Sequence, residues 1–300
     1  MTDRLRRLYS LVERQIKMRI SAWLCQKINS FFPLPQHPFN LTNDGIMTYG
    51  EWQYKMGQQT IRFYLQFSTA EDMFAGKTVL DIGCGAAGKT LYYASLGVKR
   101  IYGVEILDKY RSEAEAHAQK LGLGDRFEFV CADAAHLPFP DRSIDTIIMN
   151  DAMEHVDEPE QVLQECLRVL SPGGRLYLNF PPYYHPFGAH LSDTIGIPWV
   201  HLFFSDQTLI DVYKQNVAAL PDGPERVAFR ISKRENGAEY FSYINRMTIS
   251  RFRKILSRLG VTPVYYHEAP LRSIVRPLAR LPVIKEMMVK MVVCVLEKKA

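Results

Sequence analysis

Thr78-Val79-Leu80-Asp81-Ile82-Gly83-Cys84-Gly85-Ala86-Ala87-Gly88-Lys89-Thr90 is the stretch on which the reading of this chain turns. A short apolar, β-branched run stops at a cluster of glycines, and helix-forming residues follow. That is the pattern of a buried strand, a tight turn and a helix start. Gly83, Gly85 and Gly88 carry no Cβ, so the backbone there can bend sharply and approach a ligand closely. A helix starting near Gly88 points its first N–H groups into the bend. Two phosphate-binding patterns fit the spacing. Gly83 to Gly88 spells the dinucleotide fingerprint GxGxxG, and Gly83 to Thr90 spells the P-loop GxxxxGKT in full; both place phosphate at the helix N-terminus. Asp81 argues against both, because a carboxylate at the strand end repels a pyrophosphate and attracts a cation. S-adenosyl-L-methionine has no phosphate and carries an ammonium and a sulfonium, so an acid before the glycines favours that cofactor.

The surrounding 300 residues suit one large domain or one domain with an insertion. A hydrophobic share of 47% and an aromatic share of 12% are ample for a buried core. No run reaches the ~18 apolar residues of a membrane-spanning helix, and charged residues interrupt the N-terminus as no signal peptide would allow. The five cysteines, Cys25, Cys84, Cys131, Cys166 and Cys294, are odd in number and scattered. They suggest neither a disulfide framework nor a zinc site, and the expected compartment is the reducing cytoplasm. Cys84 reads as a small residue that fits the turn rather than a reactive thiol. The net charge of +5 is uneven: residues 1–30 and 271–300 each carry seven Lys/Arg against two acids. Basic ends suit peripheral contact with a membrane surface or another anionic partner, although a solvated helix face is the commoner cause. Nucleic acid is not an expected partner, since no recognition motif interleaves these basic residues.

Residues 4–29 read as an amphipathic helix, with Leu5, Leu8, Val12, Ile16, Ile20, Trp23, Leu24 and Ile28 at spacings of three and four. It suits a lid docked on the core, or a helix lying on anionic lipid. Pro33, Pro35 and Pro38 end it and make a linker. Between 45 and 67 stand Tyr49, Trp52, Tyr54, Phe63, Tyr64 and Phe67, with a second helix expected over Gln58–Phe67; their faces suit a lid over a sulfonium or an apolar acceptor, although core packing explains most such aromatics. Strands are then expected at Val79–Ile82, Arg100–Val104, Phe127–Val130, Ile144–Met149 and Arg175–Phe180, the last preceded by a Pro172-Gly173-Gly174 turn. Helices at Lys89–Leu96, Ser112–Leu121 and Pro159–Leu170 alternate with them. This alternation implies a parallel sheet with helices on both faces. Asp81, Gly83, Glu105, Asp133 and Asn150 all fall at strand C-termini, where such sheets bind ligands. Glu105, after the second strand, is placed to accept two ribose hydroxyls.

Together Val79–Gly88, Gly103-Val104-Glu105, Ala132-Asp133, Leu137–Phe139, Asp145–Val156 and Leu167–Gly174 resemble a class I S-adenosylmethionine-dependent methyltransferase, in the type 11 branch acting on small molecules. The likeness covers about residues 77–180. It implies a Rossmann-like parallel sheet with a final antiparallel strand. It also implies that Asp81, Gly83 and Gly85 hold the methionine part, Glu105 the ribose and Asp133 the adenine, with Ile106 and Ala134 flanking the adenine. Cys84, Gly88 and Asn150 complete the expected cofactor set. One departure stands out: the family's third glycine falls at position 87, where this chain has Ala87, with Gly88 next.

The implied organisation is an N-terminal helix and linker (1–44), the cofactor-binding core (45–180), a cap insertion carrying substrate specificity (181–246) and the C-terminal part of the sheet (247–300). Thr248 reads as the N-cap of a helix over Ile249–Leu259, stopped by Gly260. Val261–Tyr266 and Met291–Leu296 are the expected sixth and seventh strands, joined by a long Leu271–Val289 connection. Three histidines at 185, 190 and 201 lack close metal-ligand spacing, and no metal is expected. Candidate general bases are His155, Tyr184, His185 and His190. The expected activity is methyl transfer to an O, N or C atom of a small, apolar or aromatic acceptor. The alternatives are a P-loop nucleotide-binding protein, which needs Lys89 on phosphates and Asp151 on magnesium, and a module that binds S-adenosylmethionine without transfer.

Overall fold

The computed structural model describes residues 20–34, 37, 40, 45–272, 281 and 284–299. Along the chain run α1 (Tyr49–Lys55), β1 (Thr78–Ile82), α2 (Gly88–Ala94), β2 (Arg100–Glu105), α3 (Arg111–Lys120), β3 (Phe127–Cys131), β4 (Ile144–Asn150), α4 (Pro159–Val169) and β5 (Leu170–Phe180). There follow α5 (Asp206–Val217), α6 (Gly223–Arg230), β6 (Ile231–Lys233), β7 (Glu239–Phe241), α7 (Ile249–Arg258), β8 (Tyr265–Pro270) and β9 (Val289–Glu297), with shorter helical turns between some of them. The chain divides into two compact units, one built from Asp44–His185 and Asn245–Ala300, the other from the N-terminal segment and Pro186–Ile244.

The first unit is a seven-stranded sheet in the order β3-β2-β1-β4-β5-β9-β8. Its first five members pair in parallel, and β9 runs antiparallel to both β5 and β8. Successive side chains of β1 go to opposite faces. Leu80 and Ile82 join Leu163 and Cys166 of α4 and Phe252 and Leu256 of α7. Val79 joins Leu91 and Tyr93 of α2 and Ala114 and Ala118 of α3 on the other side. Burial on both faces is why β1 and β4 read as nearly unbroken apolar runs. Asp81 shares the parity of Val79, which carries its carboxylate toward α2. The chain leaves β1 in one direction, to β2 and β3, and returns to β4 on the other side. The loops after β1 and β4 therefore diverge and open a crevice at the strand ends.

Several boundaries differ from expectation for identifiable reasons. The sixth strand is Tyr265–Pro270 rather than Val261–Tyr266. Pro263 has no N–H for a ladder, so pairing is confined to the residues beyond it; Val264 N–H donates to the Val295 carbonyl at 2.9 Å. The helix expected over Gln58–Phe67 is only Gly57–Ile61, followed by turns. Before it stands α1, which the aromatic density concealed; Thr48 and Glu51 cap it reciprocally, a capping box. In β5, Leu170 pairs with Ile144 and Arg175 with Thr146, so residues 171–174 interrupt the ladder, with Gly173 at φ 77°. The expected Pro-Gly-Gly turn survives as this interruption. Thr248 caps α7 by accepting from Arg251 N–H at 3.0 Å. Pro277 and much of the connection before β9 lie outside the described residues.

Gly88 explains the displaced glycine of the turn. Ala87 itself takes the left-handed backbone, φ 59°. A Cβ on Gly88 would lie 2.1 Å from the Gly50 carbonyl oxygen and 2.6 Å from Gln53 Cβ. The second position must therefore be bare for α1 to lie against α2.

The other unit holds α5, α6, the β6–β7 hairpin and the described part of the N-terminal segment, where residues 20–29 are helical. Its centre is ionic. Asp193, 1% exposed, accepts from Tyr213 OH at 2.9 Å and from Arg226 Nη1 at 3.1 Å. Arg230 Nη2 lies 3.4 Å from the other carboxylate oxygen. Arg226 also donates to Asn40 Oδ1 at 3.0 Å, and Asn40 Nδ2 to the Asp193 carbonyl at 3.1 Å. A buried charge needs such partners to offset its lost hydration. Burial pushes the neighbouring His37 down to about 4, with Asp193 opposing. Within the N-terminal helix, Ala22 and Cys25 are buried, whereas Ile20, Trp23 and Leu24 of the expected core-facing stripe are exposed. Residues 4–19 of that helix lie outside the described residues. Among the described residues no helix is long and apolar enough to cross a membrane.

Gly88→Ala is expected to lower unfolding free energy by about 1–3 kcal/mol through overpacking, read by denaturant titration. Ala87→Gly is expected to be nearly neutral, because the residue already occupies a conformation that glycine favours.

Candidate active site

Asp81, at the end of β1, is 4% exposed. Thr90, in the first turn of α2, donates its hydroxyl to Asp81 Oδ2 at 2.5 Å. Burial pushes the carboxyl up to about 7, while Thr90 and Lys89 pull it the other way. The turn that follows is tied to the end of β2: Gly83 N–H and Cys84 N–H both donate to the Val104 carbonyl, at 2.9 and 3.1 Å. Gly83 (φ 76°) and Gly85 (φ 52°) hold left-handed backbone there. A Cβ on Gly85 would meet nothing nearer than the Tyr49 ring edge at 4.0 Å, so this face of the turn is open.

Glu105 is oriented by the same turn. Its Oε2 accepts from Gly85 N–H and its Oε1 from Leu107 N–H, each at 3.1 Å. Each carboxylate oxygen keeps a further lone pair, enough for two more donors side by side. Cys84 packs behind the turn, its Sγ 2.9 Å from where a Gly103 Cβ would stand. Burial holds its thiol well above the ordinary range, so it stays protonated and serves as packing. After β3, Asp133 Oδ1 accepts from Ala135 N–H at 2.9 Å. Ala134 is buried beside it, and Ile106 after β2 is 63% exposed. The Asn150 side chain is engaged within the core: Oδ1 accepts from Tyr64 OH at 2.5 Å and Asn179 Nδ2 at 2.7 Å, and Nδ2 donates to Tyr93 OH at 2.9 Å. It braces β4 against β5 and α2.

Four neighbours of this site stand outside the expected set: Tyr49, Thr90, Asp151 and Ala152. Lys89 Nζ lies 3.0 Å from Asp151 Oδ2. Burial works against the ammonium, but Asp151 first, then Tyr93 and Tyr49, outweigh it and hold Lys89 charged well above its ordinary range. Burial raises the Tyr49 phenol, with Lys89, Asp151 and Glu105 all near enough to act on it. Ala152 Cβ lies 3.0 Å from where a Gly83 Cβ would stand. The Gly-Lys-Thr ending held a signal for two of these contacts, but its likeness to a P-loop directed it to phosphate.

The candidate bases are distributed over both units. In the first, His155 N–H donates to the Ala152 carbonyl at 2.9 Å, and its Nε2 lies 3.8 Å from Glu154 Oε1. Glu154 is buried and held well above the usual carboxylate range by desolvation, then by Asp151. Tyr184 follows β5, edge-on to Tyr183 at 5.5 Å, and His185 N–H donates to the Pro182 carbonyl at 2.8 Å. His190 belongs to the second unit, with φ 52° and a carbonyl that accepts from Tyr243 OH at 2.9 Å.

These residues fit S-adenosylmethionine. Asp81 is a desolvated acid suited to an ammonium, the Gly85 face is open, and Glu105 is braced for paired hydroxyls. Residues 80–178 match the family model Methyltransf_11, described as a methyltransferase domain. This stretch is a class I S-adenosylmethionine-dependent methyltransferase domain. Over 105 residues the chain is 38% identical to methyltransferase GfsG of Streptomyces halstedii, covering 35% of this chain and 38% of that protein. It is 36% identical over 105 residues to 27-O-demethylrifamycin SV methyltransferase of Amycolatopsis mediterranei, covering 35% and 39%. The chain thus spans about two fifths of the length of these curated relatives. A solved S-adenosylmethionine-dependent methyltransferase from Methanosarcina mazei shares the fold, with TM-score 0.50 and 20% identity over 79% of this chain and 97% of that one. The P-loop alternative finds no support: Lys89 is paired with Asp151, and the family match is to a methyltransferase domain.

The raised Asp81 pKa gives this site a pH signature. Because the folded pKa lies above the unfolded one, this group's contribution to stability falls as pH rises from about 4 to about 7. A cationic ligand favours the carboxylate, so binding below pH 7 releases a proton. Affinity for S-adenosylhomocysteine is expected to rise about fivefold from pH 6 to pH 7 and then level off. Calorimetry in two buffers of different ionisation enthalpy reads the proton release, and Asp81→Asn should flatten the slope.

Proposed function

We propose that the protein transfers the methyl group of S-adenosylmethionine to an O, N or C atom of a small, apolar or aromatic acceptor. The observation that carries this reading is the pairing of a buried Asp81 with a backbone-braced Glu105 across one open glycine turn. The relatives support it by name, one a 27-O-demethylrifamycin SV methyltransferase and another a sterol 24-C-methyltransferase from Pneumocystis carinii.

Bound S-adenosylmethionine supplies a methyl on a sulfonium, whose displacement by the acceptor leaves a neutral thioether. The protein's part is chiefly to hold the acceptor in line with that bond, which can supply about 7–11 kcal/mol of the barrier. In this reading Asp81 and the turn at Gly83 and Gly85 bind the methionine part, and Glu105 binds the ribose. Asp133 binds the adenine beside Ile106 and Ala134. An acceptor that keeps its proton needs a base, and His155, Tyr184, His185 and His190 are the candidates. We assign acceptor choice to the insertion at 181–246, which lies beyond the matched domain. The five cysteines are unbridged, which supports a reducing compartment. The basic termini extend the reading to peripheral contact with an anionic surface.

Calorimetry is expected to show binding of S-adenosylhomocysteine and none of magnesium–ATP; the reverse result overturns the proposal. Glu105→Ala should weaken the homocysteine ligand by about 10- to 100-fold, through loss of charge-assisted hydrogen bonds. Mass spectrometry of acceptor mixtures should find one gaining a methylene. With that acceptor, alanine at the true base should cost about 10²–10⁴ in rate with cofactor affinity kept. A chain that binds the cofactor and methylates nothing would be a binding module.

A further inference from the structure

We propose that the outward face of the N-terminal helix, formed by Ile20, Trp23 and Leu24, seats the protein on an anionic phospholipid bilayer. These three residues are 58%, 60% and 45% exposed. They stand at i, i+3 and i+4, one stripe of the helix at residues 20–29. The helix is held to its own unit by its other side, which is small and polar. Ala22 and Cys25 are buried. Asn29 Nδ2 donates to the Thr194 carbonyl at 2.9 Å, and Gly196 N–H returns a bond to Asn29 Oδ1 at 2.8 Å. Thr208 Oγ1 donates to Ser21 Oγ at 3.2 Å. The orientation is thus fixed by specific bonds, and it turns the large apolar side chains away from the core. Phe31 (83% exposed) and Leu34 (48%) are further exposed apolar residues just downstream in sequence. Large apolar side chains exposed together on one stripe of a helix mark a surface that something covers.

Charge selects the occupant. Residues 1–30 carry a net +5, with Arg4, Arg6, Arg7, Arg14, Lys17 and Arg19 upstream of the face and Lys27 on the helix itself. In sequence, Leu5, Leu8, Val12 and Ile16 continue the same three-and-four spacing into the stripe. A tryptophan-bearing apolar stripe within a segment this basic suits the plane of an anionic bilayer, the stripe at the acyl boundary and the segment's positive charge drawn to the headgroups. Two copies of a segment this basic repel one another, which disfavours self-association through the same face.

The test is cosedimentation of the full chain with vesicles of phosphatidylcholine alone or mixed with phosphatidylglycerol. The protein is expected to pellet with the mixed vesicles, and at least about tenfold more weakly with phosphatidylcholine or in high salt. Trp23→Asp/Leu24→Asp should lose at least about tenfold of that binding. It should keep its circular dichroism and its affinity for S-adenosylhomocysteine, because both positions are exposed. Failure of the unaltered protein to bind mixed vesicles overturns the proposal. So does undiminished binding by the double variant, or a dimer on size exclusion that the double variant dissolves. None of these outcomes bears on whether the chain transfers methyl groups.

Discussion

Burying one carboxylate at the end of the central strand is the constraint around which the sheet-bearing unit is arranged. Taking Asp81 out of water disfavours its charge, and the protein offsets this only in part, with one hydroxyl from Thr90 and the more distant ammonium of Lys89. The group is left close to neutrality and poised to ionise when a cation arrives. That places a share of the ligand's binding energy in restoring a charge the fold has suppressed. A phosphate brought to this turn would meet that carboxyl with no compensating cation left over. Lys89, which a phosphate site would need, is already matched to Asp151.

The turn beside Asp81 divides its glycines between two tasks. Gly83 and Gly85 hold left-handed backbone, and Gly85 faces open space where a ligand can lie. Gly88 does neither; it is bare so that α1 can cross α2 at contact distance. The turn also positions the second acid, since Gly85 N–H and Leu107 N–H between them take one lone pair from each Glu105 oxygen. Asp81 and Glu105, 24 residues apart in sequence, thus flank one turn, whose Gly85 N–H holds the second of them.

The second unit uses a different physics. Asp193, Arg226, Arg230 and Tyr213 form a buried polar centre to which Asn40 of the N-terminal segment is bonded. Such a network is worth little beyond an apolar core in energy but specifies one arrangement, because any slip leaves a charge buried without its partner. It helps explain how a segment far away in sequence is tied to the insertion, and why the adjoining helix presents its small face inward.

Sequence alone determined the alternating core, because strands buried on both faces and helices buried on one leave distinct periodicities, and because acids at strand ends have few structural uses. The placement of Asp81 and Glu105 at strand ends, and of the glycines in the turn between β1 and α2, was legible for that reason. Tertiary structure decided what depends on neighbours distant in the chain. Only packing shows that Gly88 serves a helix, that Asn150 spends its amide on Tyr64, Tyr93 and Asn179, and that Lys89 answers Asp151. Pro263 moved the sixth strand because a missing donor matters only once the partner strand is known. The direction in which the Ile20–Trp23–Leu24 stripe points is of the same kind: periodicity defines a face, but hydrogen bonds to residues 194, 196 and 208 decide which face goes inward.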